Sequence, residues 1–173
     1  MDTDTPAESA PLSPREVFAR MQESWLGRGD DGDLLAEDVV IEAPFAPPGR
    51  PKRREGRDSV LRAYRPERAA FPVRFEEVRD VVVHETADPE VIVVEYTMAG
   101  TVTTTGLRGS APFIGVLRVR DGKIASWREY HDALAIAQAV GRLPDLLAAA
   151  QAATEAETET VPETHALAQT QVE

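Results

Sequence analysis

The chain has 173 residues, 42% of them hydrophobic, and its 30 acidic against 19 basic side chains give a formal net charge of −11 at pH 7. That length supports one well-buried domain and is short for two, while the negative balance lacks the positive footprint a nucleic-acid binder needs. The lack of cysteine removes disulfides, thiolate nucleophiles and thiolate metal ligands.

Residues 1–12 are acidic without an apolar core, so they read as neither signal peptide nor lipidation signal. No apolar run reaches membrane-spanning length, and the expected location is cytoplasmic. Residues 1–12 and the Thr, Glu, Ala and Gln tail over 152–173 have almost nothing to bury, so both are predicted to be disordered around a folded domain at 13–151.

The first helix has a sharp predicted start. Ser13 caps, Pro14 fits the first helical position, Glu16 completes a capping box, and Leu12 staples against Val17. Phe18, Met21 and Trp25 form one apolar stripe, with Gly27 and Gly29 as stops. Such a stripe is ordinary core, and Trp25 is also a candidate pocket floor. The run Asp30-Asp31-Gly32-Asp33 lacks calcium-loop spacing and predicts the cap of a second helix before Leu34 and Leu35, so no metal site is expected there.

A short strand over Val39 to Glu42 ends at Pro44. Residues 45–56 form a proline-rich loop, with a basic cluster of Arg50, Lys52, Arg53, Arg54 and nearby Arg57. It reads either as a solvated loop offsetting acidic neighbours or as an anion clamp over a pocket mouth. Asp58 is predicted to cap a helix packing Val60, Leu61 and Tyr64 inward and closing at Pro66.

From Val73 the pattern turns to long strands, Val73 to Glu85 and Val91 to Thr105, joined by a turn at 87–90. In the latter, Val91, Val93, Glu95 and Thr97 share a face opposite Ile92, Val94, Tyr96 and Met98. Glu95 is expected either to pair with an arginine such as Arg118 or to point into a cavity as a ligand-binding group. His84, at a strand end, reads as a surface residue.

Residues 111–132 organise the chain. Two β-rich runs flank Asp121-Gly122, a strong hairpin signal because Gly accepts the positive φ of a tight turn. In the second arm Trp127, Glu129 and His131 share one face, and Ser126, Arg128 and Tyr130 the other. Asp132 then caps a helix carrying Leu134, Ile136 and Val140, stopped by Gly141, and a last helix starts near Pro144 and frays into the tail. Helices set against a mostly antiparallel, strongly twisted sheet make an α+β domain with room for a cavity.

Three passages, residues 25–49, 55–64 and 119–132, resemble the nuclear transport factor 2-like superfamily in its SnoaL-like, ketosteroid isomerase-like branch. The resemblance implies a cone-shaped, strongly curved sheet wrapped on N-terminal helices around a pocket. That scaffold serves isomerases, dehydratases, epoxide hydrolases, polyketide cyclases and binding domains. Ala43 stands where ketosteroid isomerases carry the catalytic aspartate, and their oxyanion-binding aspartate falls near Gly115, so steroid isomerisation by the usual residues is not expected. The motif Arg128-Glu129-Tyr130 is similar to the R-E-F segment of phenazine-biosynthesis members, whose glutamate is the proposed acid/base, and that role carries over to Glu129.

Burial in an apolar cavity disfavours a carboxyl's charged form, the enabling condition for proton exchange near neutrality. The expected activity is therefore cofactor-independent acid/base chemistry on an apolar, carbonyl-bearing or polycyclic secondary metabolite. Glu129 and His131 would be catalytic, and Trp25, Tyr64, Phe113, Trp127 and Glu95 would bind the substrate. The competing reading pairs Glu129 with a buried arginine, Arg62 or Arg108, in a passive binding or dimerisation module. An epoxide hydrolase would need a set such as Asp38, Arg62 and Asp132. Arg118, Arg120, Ser126, Arg128 and Tyr130 on the outer face suggest a homodimer, as the family implies.

Overall fold

A computed structural model describes residues 10–30 and 32–159. The predicted arm up to residue 9 and the tail from 160 lie outside them. Helix α1 (Pro14–Trp25) starts on the predicted capping box, with Glu16 Oε2 accepting from the Ser13 backbone at 2.8 Å. Its Val17, Phe18 and Met21 are buried.

The second helix expected after Asp33 is only a 3-10 turn, Gly32–Leu34, and Leu35 already opens β1 (Leu35–Glu42). Asp30 accepts from the Gly32 backbone at 2.9 Å and so closes a local turn rather than capping a helix. The β-branched run Val39-Val40-Ile41 then favours an extended chain.

Strand β2 (Arg53–Glu55) lies inside the predicted loop, and α2 (Arg57–Ala70) follows. Gly56, with φ of 79°, holds the N-cap position, so Asp58 sits in the first turn instead of capping. Pro66 does not end α2, which continues to Ala70. The Arg62 carbonyl that loses its amide partner there lies on an exposed stretch where water can replace it.

Strands β3 (Val73–Glu85), β4 (Val91–Val102), β5 (Arg108–Arg120) and β6 (Lys123–His131) complete a six-stranded sheet in the order β2-β1-β6-β5-β4-β3. Strand β4 stops three residues before the predicted Thr105 because Thr103 to Thr105 turn. Every pairing is antiparallel except β1 with β6. Register shifts in β3 and β6 strengthen the twist, and the sheet wraps α1. The Asp121-Gly122 hairpin forms as read, with both residues at positive φ. Helix α3 (Ala133–Ala139) has its predicted cap, Asp132 accepting from the Ala135 backbone at 2.9 Å, and α4 (Leu143–Glu159) runs on past Thr154.

The alternation in β4 resolves in one direction. Ile92, Val94, Tyr96 and Met98 face the core, packed against Phe18, Leu117, Ile124 and Trp127. Gly115 makes room for this packing: a Cβ there would overlap the Trp127 ring. Gly115→Ala is therefore expected to lower unfolding stability by about 2 kcal/mol through overpacking. Urea denaturation checks this, and an unchanged midpoint would mean that the indole is free to move aside.

Candidate active site

The two arms flanking Asp121-Gly122 set the site, because their register places Phe113 opposite His131 and Gly115 opposite Glu129. On β4, Tyr96 lies opposite Phe113, so Tyr96, Phe113 and His131 form one row across three strands. Trp127, Glu129 and His131 point inward as the alternation predicts. Trp127 is buried, while the Glu129 and His131 side chains remain 25% and 23% exposed.

Tyr96 is the residue the sequence reading missed. Its ring, 2% exposed, stacks on Trp25 from α1 at 5.2 Å and on Phe113 from β5 at 5.3 Å. Its hydroxyl donates to Glu129 Oε2 at 2.8 Å. Burial pushes the phenol well above the usual tyrosine range, and the Glu129 charge and hydrogen bond push it further. The phenol is thus a fixed donor that orients the carboxylate. The other oxygen, Glu129 Oε1, lies 3.4 Å from His131 Nδ1, a buried nitrogen without a hydrogen bond among the described residues. The imidazole leans on Phe113, with ring centres 5.5 Å apart.

Two adjoining cavities of about 350 and 320 Å³ meet at this group, a size suited to a small organic molecule. Trp25, Arg50, Tyr64, Glu67, Glu129 and His131 line both. The rest of the first lobe is largely apolar, including Phe71, Phe75, Met98 and Ile136. The second is lined by Met21, Leu35, Ile41 and Trp127 on one side and by the proline-rich loop on the other. Among the described residues, no group of three His, Cys, Asp or Glu could hold a metal ion, and no helix is long and apolar enough to cross a membrane.

The structure brings together Trp25, Tyr64, Phe113, Trp127, Glu129 and His131. It does not bring in Glu95. The parity that turns Tyr96 inward turns Glu95 onto the outer face, where it is half-exposed and 2.9 Å from His84 Nε2. Arg118 instead binds Asp88 and Glu90, each at 2.9 Å. The arginines proposed to neutralise Glu129 are also elsewhere: Arg108 lies 3.4 Å from Glu76, and Arg62 is exposed on α2. The epoxide-hydrolase set is not assembled, because Asp38 is held by Arg120 and Asp132 is used as the α3 cap.

The basic loop is mostly paired. Arg53 bridges Glu42 and Glu55 at 2.9 and 2.7 Å, while Arg50 and Arg54 both hold Glu67 at 3.1 and 2.8 Å. The offsetting of acidic neighbours read from the sequence is thus present.

The model of the SnoaL-like domain matches residues 28–127. The chain belongs to this family. The matched segment ends two residues before Glu129, so the carboxylate itself lies outside it. A PhzA/B-like protein of Pseudomonas aeruginosa is 37% identical over 109 residues, covering 63% of this chain and 75% of the relative. The crystal structure of a candidate isomerase from Bacillus subtilis superposes with a TM-score of 0.62 at 29% identity, covering 74% of this chain and 89% of that one. A phenazine biosynthesis-related protein from Pseudomonas aeruginosa gives 0.57 at 22% identity, covering 74% and 84%. Candidate polyketide cyclases share the same architecture. The nuclear transport factor 2-like fold and the likeness to phenazine-type members, both expected from the sequence, are therefore correct.

The raised Tyr96 phenol gives a pH signature. Above its ordinary value of 10.0 the unfolded chain releases this proton while the folded chain keeps it, so its contribution is full below that pH and is lost as pH rises further. One retained proton corresponds to a slope of about 1.4 kcal/mol per pH unit. Tyr96→Phe should cost about 1 kcal/mol at neutral pH through the lost hydrogen bond, and the gap to wild type should close by roughly pH 11. Denaturant titrations at both pH values check this, and parallel pH profiles would contradict it.

Proposed function

We propose that the protein is a cofactor-independent acid/base enzyme that cyclises, isomerises or dehydrates an apolar, carbonyl-bearing or polycyclic intermediate of secondary metabolism. One observation carries this reading: an oriented carboxylate stands beside an imidazole where two largely apolar lobes meet, with no arginine on it among the described residues. Membership of the SnoaL-like family supports it.

In this mechanism Tyr96 occupies Oε2, which leaves Glu129 Oε1 to take a proton from the carbon next to the substrate carbonyl. The electron pair moves to the carbonyl oxygen; in isomerisation the proton returns to a second carbon, in dehydration to a departing oxygen, and in cyclisation the enolate carbon bonds to a second carbonyl carbon of the substrate, whose oxygen takes the electron pair and the proton. His131 is the assisting group and donates toward the oxygen on which charge develops. Trp25, Tyr64, Phe113 and Trp127 hold the substrate's flat body. A packed interior with Glu129 salt-bridged to an arginine favours a passive module; the open lobes, together with a Glu129 that meets Tyr96 and His131 and no arginine among the described residues, support chemistry.

The second part of the reading is a homodimer through the outer sheet face. Val82 and Ile114 lie exposed there at 49% and 45%, and Tyr130 packs against Phe45 at 5.3 Å. Sedimentation velocity at micromolar concentration should give twice the chain mass, with Ile114→Lys shifted to monomer; a wild-type monomer would contradict the dimer.

Native mass spectrometry of the purified protein should identify a co-purifying ligand from which the substrate can be assigned. On that substrate Glu129→Gln is expected to reduce turnover at least ~100-fold while ligand binding persists. Full turnover by this variant would remove Glu129 from the chemistry.

A further inference from the structure

The proline-rich loop has a role that proton transfer at Glu129 does not use. Two guanidinium groups, Arg50 and Arg54, converge on the single carboxylate of Glu67, and Arg54 is only 28% exposed. Lys52 has no carboxylate partner among the described residues. Counting Arg50, Lys52 and Arg54 against Glu67 leaves two positive charges on the loop, against the one carboxylate of Glu129 that also lines the second lobe. This local excess occurs in a chain whose overall charge is −11.

The other basic groups nearby are balanced, since Arg53 and Arg128 share Glu42 and Arg53 also binds Glu55. The excess therefore belongs to the proline-rich loop where it lines the second lobe. The loop that carries it is pre-ordered. Pro47, Pro48 and Pro51 restrict its φ angles, and backbone bonds from Ala43 to Lys52 and from Arg50 to Pro47 close it at 2.9 and 3.1 Å. A pre-ordered cationic loop loses little entropy when it binds an anion. Planar guanidiniums suit a carboxylate, and Glu67 already occupies that place from within the chain.

We infer that Arg50, Lys52 and Arg54 form an anion subsite, and that the molecule bound in this cavity carries a carboxylate at the end directed to the second lobe. This rests on the reading of the cavity as a small-molecule site and adds the substrate class: an apolar ring system bearing a carboxylate. The carboxylate seats beside or in place of that of Glu67, while the apolar body extends past Glu129 toward the first lobe.

The test compares two probes of the same shape, 2-naphthoate and 2-naphthamide, by titration calorimetry on the full chain at low ionic strength. Naphthoate should bind roughly tenfold more tightly, and the preference should shrink as salt is raised. Lys52→Ala, a change to an exposed side chain, should reduce the preference, and the Arg50→Gln/Lys52→Ala double variant should bring the two probes near parity. Arg120→Gln, on the Asp38 pair away from the cavity, should leave it unchanged. Circular dichroism confirms that each variant is folded. Equal affinities in wild type, no binding of either probe, or an undiminished preference in the double variant would overturn the subsite. Glu129→Gln should retain the preference for naphthoate, so failure of the catalytic reading and failure of this one give different results.

Discussion

The hydrogen bond from Tyr96 to Glu129 is the contact on which the rest of the site depends. A buried hydroxyl without an acceptor costs about 1–3 kcal/mol, so the fold is tied to keeping a carboxylate oxygen in that place. Tyr96 is itself fixed by rings from two other elements, Trp25 at the end of α1 and Phe113 on β5. Docking of the first helix and pairing of the central strands therefore converge on one phenol. The constraint passes through the hairpin turn as well, since a one-residue slip between β5 and β6 would send Glu129 to the outer face.

The distribution of charge keeps the interior open to an apolar guest. Arg118 and Arg120 of β5 satisfy carboxylates outside the cavity, and Arg128 of β6 neutralises Glu42 at the edge of the second lobe. Single surface pairs of this kind contribute little, but the chain Arg53-Glu42-Arg128 crosses β2, β1 and β6 and adds side-chain links where the sheet has its one parallel pairing. Inside, the walls are aromatic and aliphatic, and the polar groups concentrate at the junction of the two lobes and along the proline-rich loop. Orientation and positioning are left to a few side chains, as small-molecule sites require.

What was legible in the sequence was local. The α1 capping box, the Asp121-Gly122 turn and the inward row Trp127, Glu129, His131 follow from spacing over a few residues. Tyr96 was not legible, because alternation in β4 defines two faces without saying which is inside, and an acid on one of them drew attention to Glu95. The partners of Glu129 come from β4 and from two residues further along β6, and only strand order and register decide that they, rather than Arg62 or Arg108, arrive there. The parallel pairing of β1 with β6 and the meeting of Arg50 and Arg54 on Glu67 are likewise long-range. Proline inside α2 misled for a different reason: the stretch around Arg62 is exposed, where water can replace the missing amide, and local propensity does not report exposure.

The central claim is that an apolar carbonyl compound in the cavity contacts the Glu129 carboxylate. Carboxyl ¹³C NMR on glutamate-labelled protein tests this most directly, with the Glu129 signal assigned by its loss in Glu129→Gln and 2-acetonaphthone as the ketone probe. The account predicts a saturable shift of the Glu129 resonance with Glu95, on the opposite face, unmoved. A Glu129 resonance that stays in place at saturation, or moves no more than that of Glu95, would contradict it.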